Sequence, residues 1–435
     1  MIFNYFMGKS LSKGGTFQKY ISKRNFLIFG ILSNLALIGY FKYSDFFIDN
    51  INYVLNTDID LLNLALPLAI SFFTFQQISY LVDSYRHQTH EYNFLNYALF
   101  VTFFPQLIAG PIVHHKEMMP QFALVENKMI NYRNISLGLF IFSIGLFKKV
   151  VIADTFAVWA SAGFDTATTL NLIEAWATSL SYTFQLYFDF SGYTDMAIGA
   201  ALIFNIKLPI NFNSPYKATN IQDFWRRWHI TLSRFLREYV YIPLGGNRRG
   251  EFRTYSNLMV TFIIGGIWHG AGWTFIFWGM LHGLALAIQR LWNSLGFSLK
   301  PWLAWLITFN FVNITWVFFR AKEWSDATKV LRSMFSLDNV VLPSVLLNIL
   351  SSLDKYGVEF SQEYVRHING DKWTGIWIIV AMIVVVFAMN SNQLLERYKT
   401  LYQELWSSIL VGFLLFYSIK VMAVVTDSEF LYFNF

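Results

Sequence analysis

Between Thr374 and Asn390 the chain reads TGIWIIVAMIVVVFAMN, without one charged side chain. A helix needs about 17–25 such residues to cross the hydrocarbon core of a bilayer. The run does not stand alone. Others lie near 26–42, 61–82, 95–113, 136–160, 172–190, 256–268, 272–292, 301–319 and 406–426, which predicts roughly ten spans. What remains would not cover a water-soluble surface: 14% of residues are charged, against about 25% in an ordinary soluble domain. The fold class expected is therefore all-α, a polytopic integral membrane protein.

The formal net charge of +6 would point to nucleic acid in a soluble chain. Here it follows from loops that collect Lys and Arg on the cytoplasmic side, and no nucleic-acid partner is expected. Cysteine is absent, which excludes disulfides, thiolate nucleophiles and Cys-ligated zinc. The first twenty residues lack the apolar core of a cleavable signal peptide. One domain, 1–435, is expected. Its basic start, 1–25, holds Lys9, Lys13, Lys19, Lys23 and Arg24. A polar interruption at 207–255 holds Lys207, Lys217, Arg226, Arg227, Arg234, Arg237, Arg248, Arg249 and Arg253, and the positive-inside rule puts it in the cytoplasm. A second polar region, 321–372, is expected to form short helices at one membrane face.

One apolar stretch carries an exception. GGIWHGAGW, residues 265–273, places His269 between NLMVTFII and TFIFWGMLHGLAL. Ionisable groups at membrane depth are costly and mark functional sites by default. Desolvation disfavours the charged imidazole, and a neutral one accepts a proton, as a general base for a hydroxyl must. The alternative is a core histidine bonded to a neighbouring helix. Gly265, Gly266, Gly270 and Gly272 permit either close helix packing or an unwound backbone lining a cavity. His282 lies in the next apolar run.

A second histidine belongs to IQDFWRRWHITLSRFLREYVYIPLGGNRRG. Asn220 is a suitable N-cap and Asp223 suits the first turn; Pro243 and Gly245–Gly246 end the helix. At about 100° per residue, Phe224, Trp228, Leu232, Phe235 and Tyr239 share one sector, while Arg226, Arg227, Arg234 and Arg237 lie opposite. This predicts one interfacial amphipathic helix with its aromatics in the acyl boundary and His229 at the edge of the apolar sector. The arginines suit lipid headgroups or an anionic, phosphate-bearing substrate equally well.

YFDFSGYTDMAIG adds Asp189, Ser191, Tyr193 and Asp195. The two carboxylates are poorly placed to share a helix face; they are expected to orient a histidine, bind a cation or line a tunnel. LPINFNSPY gives a rigid polar turn with Asn211, Asn213 and Ser214. HHKE at 114–117 lacks further spaced ligands, so no metal site is predicted. There is no P-loop, dinucleotide fingerprint or serine elbow.

Taken together, NFNSPYKATNIQDFWRRWHITLSRFLREYVYIPLGGNRRG and NLMVTFIIGGIWHGAGWTFIFWGMLHG resemble the core of the membrane-bound O-acyltransferase (MBOAT) family, in its bacterial branch typified by the alginate O-acetyltransferase membrane subunit. FFTFQQISYLVDSYR (72–86), FFPQLIAGPIVHHKEMMPQF (103–122), YFDFSGYTDMAIGAALIFNIKLPINF (187–212), WVFFRA (316–321) and the closing FLYFNF are similar to that branch too. The resemblance implies tilted helices, with interfacial or re-entrant ones, around a central tunnel open to both faces. It implies that His269 is the catalytic histidine and His229 the second signature position. Arg226, Arg227 and Arg237 would meet the phosphates of the donor, and Asn213, Trp228, Trp268 and Asp189 would line the substrate path. The donor implied is acetyl-CoA, a substrate rather than a bound cofactor. The partners implied are membrane lipid, a periplasmic or extracellular SGNH-type relay protein and a polysaccharide acceptor, at a bacterial inner membrane.

Two features depart from the branch. Relatives begin with one or two further hydrophobic helices, and NYFMGKSLSK reads as the end of that element. HHKE stands where a basic-aromatic pair is more usual. Two other functions fit parts of the pattern. Transfer of D-alanine to teichoic acid shares the core motifs, though PLGGNRRG and FLYFNF favour acetyl transfer. A proton-coupled transporter would use Asp189, Asp195 and His269 as a relay, and the lack of an inverted repeat counts against it. A third reading is a scaffold that only recruits the partner.

Overall fold

The computed structural model describes residues 1–13, 21–89, 93–401, 405–424 and 430–431. Lys19, residues 425–426 of the last predicted span, and residues 432–435 of FLYFNF lie outside the described residues. In chain order the helices are α1 (Ile2–Lys13), α2 (Lys23–Ile38), α3 (Ser44–Leu55), α4 (Ile70–Tyr85), α5 (Phe94–Thr102), α6 (Phe104–Leu107), α7 (His115–Ala123), α8 (Tyr132–Phe147), α9 (Asp154–Ser161) and α10 (Leu172–Ile203). Then follow α11 (Ile221–Arg227), α12 (Ile230–Leu236), α13 (Glu251–His269), α14 (Trp273–Ser294), α15 (Pro301–Arg320), α16 (Trp324–Phe335), α17 (Leu347–Leu350), α18 (Thr374–Phe387), α19 (Ser391–Leu401) and α20 (Leu405–Val424). Wider π-turns join α2 to α3 and α8 to α9. Among the described residues, β-structure is confined to a short parallel pair, β1 (Val341–Pro343) and β2 (Glu359–Ser361), with Val341 opposite Glu359.

The helical membrane architecture agrees with the expectation, while the span pattern differs. Among the described residues, four stretches are long and apolar enough to cross a bilayer: Lys23–Leu55, Tyr132–Thr166, Trp273–Ser294 and Pro301–Arg320. A fifth is the pair Thr374–Phe387 and Ser391–Thr400, bent by 64°. Of the span expected at 61–82, residues 61–69 are not helical, and α4 begins only past Pro67. The span expected at 95–113 is broken at Phe103, whose extended backbone precedes α6 with Pro105 in its first turn. Proline is suited to starting a helix and not to continuing one. In contrast, α10 runs unbroken through 172–190 and on to Ile203, held at its start by a capping box between Asn171 and Glu174.

That long helix is the scaffold. It crosses α8 at two glycine pairs, each helix offering glycines seven residues apart. A Cβ on Gly138 would stand 2.7 Å from the Gly199 carbonyl oxygen, and one on Gly145 would stand 2.5 Å from that of Gly192. The backbones touch, as small residues permit in membrane helix pairs. Just beyond, the π-turn presents two lysines to α10. Lys148 pairs with Asp195 at 2.8 Å; Lys149 pairs with Asp189 at 2.8 Å and with Asp154 at 2.7 Å. The two carboxylates are thus committed to separate ion pairs.

The 207–255 segment and the ends of α13 and α14 near it form one face, where Glu251 pairs with Arg290 and Gln222 meets Gln289. The start of α10, the end of α15 and the 321–372 region form the opposite face. There Trp176 donates to the Met334 carbonyl and Arg320 pairs with Asp165. Large apolar side chains of α18 and α20, such as Ile379, Phe387 and Phe416, point outward, as they would toward lipid.

Candidate active site

His269 is the last residue of α13, and the chain turns back at once into α14. Glycines decide how closely the two helices can lie. A Cβ on Gly266 would stand 2.3 Å from the Phe275 carbonyl oxygen, and one on Gly279 equally close to that of Phe262. Gly270 is extended rather than left-handed, yet a Cβ there would meet the Phe275 ring at 2.1 Å. Gly266 and Gly270 therefore serve close packing, while a Cβ on Gly272 would make only ordinary contact, 3.5 Å from the Phe275 ring.

The imidazole is buried, 3% exposed. Trp268, Trp278 and Phe319 surround it at ring-centroid distances of 4.8, 5.2 and 5.0 Å, all edge-on. Trp268 itself stacks on Phe75 at 4.9 Å and lies 6.3 Å from the ring of His229. One indole thus bridges the two histidines.

His229 is fully buried, and its backbone corrects the expected continuous helix. α11 ends at Arg227 and α12 begins at Ile230; between them His229 adopts φ +42°, which is uncommon for a residue with a Cβ. The 211–213 turn enters the gap. Asn213 N–H donates to the Arg227 carbonyl and Ile230 N–H to the Asn211 carbonyl. The Asn211 side-chain oxygen accepts from Thr231 N–H and Oγ1–H and lies 3.2 Å from His229 Nδ1. With Nδ1 as donor, Nε2 is left as the basic nitrogen. The expected acyl-boundary face is also corrected. Phe224, Trp228, Leu232 and Phe235 are each no more than 2% exposed and pack on protein, Trp228 against Trp316 at 5.0 Å and Phe235 against Phe75 at 4.0 Å.

The predicted substrate residues separate into two groups. Arg226 and Arg237 are exposed and, with Arg248 and Arg290, line a cavity of about 890 Å³ that reaches inward to Trp225, Leu236 and Phe262. Phe262 is seven residues short of His269, about 10 Å along α13. Trp225 packs on Trp278 at 5.8 Å, and Trp278 on His269, so aromatic side chains link cavity and imidazole. Trp268 packs against His269 and does not line the cavity. The others lie elsewhere. Arg227 is bound to Asp223 at 2.9 Å; Asn213 Oδ1 accepts from Asn390; Trp228 fills the core; Asp189 holds Lys149 and accepts from Leu431 N–H.

His282 accepts from Trp225 Nε1–H at 3.2 Å and meets Thr315 at 3.1 Å; it ties three helices together. In HHKE, His114 meets Asp83 and Tyr239, while His115 contacts Thr89 and is drawn down to about 4 by burial. Sequence reasoning did not single out Lys148 and Lys149. Their signal was there: two cations within the apolar run 136–160, with Asp189 in the next run and Asp195 just past it.

Residues 59–322 match the membrane-bound O-acyltransferase family. The chain is 50% identical to the peptidoglycan O-acetyltransferase of Helicobacter pylori, over 100% of this chain and 86% of that one. It is 42% identical to the probable alginate O-acetylase AlgI of Pseudomonas aeruginosa, over 77% of this chain and 64% of that one. A teichoic acid D-alanyltransferase of Bacillus subtilis is 28% identical, over 60% and 70% respectively. The chain belongs to the membrane-bound O-acyltransferase family.

Proposed function

From that membership and the imidazole at the end of α13, we propose that the chain is a transmembrane O-acetyltransferase of a bacterial inner membrane. Acetyl-CoA enters from the cytoplasm through the arginine-lined cavity, with Arg226 and Arg237 at its phosphates. His269 Nε2 or Nδ1 takes the proton of an acceptor hydroxyl. The freed oxygen attacks the acetyl carbonyl. The C–S bond then breaks, the imidazolium returns its proton to the leaving thiolate, and the acetyl group remains as an ester. His229 orients the donor or offsets developing charge. The acceptor hydroxyl belongs to a relay protein of the SGNH type on the far face, beside the 321–372 region, and the relay esterifies a polysaccharide.

Peptidoglycan is the polysaccharide this reading favours, because the relative so named matches along the whole chain at the higher identity. D-alanyl transfer is the weaker reading, given the lower identity of that relative. The observation that carries the proposal is a buried imidazole at a helix end, linked through aromatics to a cationic cavity. The test is the O-acetyl ester content of peptidoglycan in cells making wild type, His269→Gln or His269→Ala at equal membrane abundance. Loss of ester in both variants supports the reading. Retained ester refutes it.

A further inference from the structure

A helix leaves its last four carbonyls without intrahelical partners, and for α13 these are Gly266, Ile267, Trp268 and His269. Gly270 N–H reaches only the first, at 3.4 Å. The other three are met from the other end of the sequence. Tyr43 O–H donates to the Ile267 carbonyl at 2.5 Å; Lys42 Nζ donates to the Trp268 carbonyl at 2.6 Å and to the His269 carbonyl at 3.0 Å. Lys42 is also 3.3 Å from Ser71 Oγ at the start of α4, where Trp268 Nε1–H donates to the Ser71 carbonyl.

Neighbouring residues diverge on a regular α-helix. Here they sit in the π-turn Gly39–Tyr43, and such turns are frequent at functional sites. A lysine within an apolar run is costly unless it has a task. Its task here is specific, because the two carbonyls it binds flank the Cα of His269, and one of them belongs to Trp268, whose indole bridges to His229.

We propose that Lys42 is a positioning residue for acyl transfer: its amine clamps the backbone of Trp268 and His269 and so fixes the imidazole toward the bound thioester. The inference rests on His269 being the base. Tyr43 completes the clamp one carbonyl further from the imidazole, so its share is smaller. Either protonation state of the amine makes two donations, so the clamp needs no particular charge.

The test uses full-length protein in permeabilised cells, with radiolabelled acetyl-CoA as donor and cell-wall acetyl ester as readout, each variant normalised to its membrane abundance. Lys42→Met is expected to lower the rate at saturating acetyl-CoA by about 100-fold, the loss a misplacement of about 1 Å can cause. Its apparent KM stays within about twofold, because an interaction felt only in the transition state leaves ground-state binding alone. Tyr43→Phe loses less, and Lys42→Arg, which keeps N–H donors, regains most of the rate. A merely structural lysine would lower abundance and leave the rate per molecule unchanged, overturning the proposal. So would a raised KM at normal saturating rate, or a Lys42→Arg as slow as Lys42→Met. His269→Gln runs beside them. If it is inactive while Lys42→Met is normal, the clamp alone fails; if it is active, the base and the clamp fail together.

Discussion

Two regions of this molecule bury ionisable side chains among apolar helices, and they treat them in opposite ways. At the α8–α10 crossing every charge has a counter-charge. Lys148 holds Asp195, and Lys149 holds Asp189 and Asp154, beside glycines that bring the backbones into contact. At the end of α13 the histidines meet neutral groups. His229 leans on an amide, His282 on an indole and a hydroxyl, and His269 stands among ring edges. Paired ions leave little to react with and fix geometry instead. An imidazole set among ring edges is a group whose chemistry is proton exchange. Burial of a titratable group thus does not identify a site by itself; its partner decides.

If the comparison holds, each region fails in its own way. The largest expected effect is on rate: His269→Gln should lower acetyl transfer by at least about 100-fold, the lower end of general-base contributions, while the melting temperature in detergent stays near wild type. The ion-pair region should answer in stability. Asp195→Ala strands Lys148 and should cost about 3–5 kcal/mol, read as lost membrane abundance and a lower melting temperature. Replacing both partners, Lys148→Met with Asp195→Leu, should recover most of that loss. Glycine replacements sharpen the contrast. Gly145→Ala and Gly266→Ala each force a methyl against a backbone oxygen at 2.5 and 2.3 Å and should cost about 1–3 kcal/mol of stability. Gly266→Ala should also slow transfer in the molecules that remain folded, and Gly145→Ala should not. The smallest effects separate the arginines. Arg237→Ala should raise the KM for acetyl-CoA several-fold. Arg227→Ala, which loses a half-exposed ion pair with Asp223, should shift stability by no more than about 1 kcal/mol and leave KM unchanged.

Much of this was legible in the sequence, for reasons that also mark the limits. The membrane fold follows from apolar runs and scarce charge. His269 stood out because its neighbours are apolar or glycine, a purely local signal. The break at His229 was hidden: residues 220–242 carry an unbroken helical period, and the bonds that replace the helical ones come from Asn211 and Asn213. The aromatic face of α11 and α12 was misread as lipid-facing because amphipathicity reports an apolar environment without saying whether it is lipid or protein. Asp189 was expected on the substrate path, and Asp195 at a histidine, cation or tunnel, because their lysines lie 40 and 47 residues earlier. Lys42 escaped for the same reason, as the carbonyls it caps are 226 and 227 residues away.

The central claim, that the imidazole at the end of α13 does chemistry while the ions at the α8–α10 crossing hold structure, is tested most directly on His269→Gln. Acetyl transfer from radiolabelled acetyl-CoA and the thermal midpoint would be measured on the same preparation. The account predicts a wild-type midpoint with transfer lost. Transfer at the wild-type rate by a stably folded His269→Gln protein would contradict it.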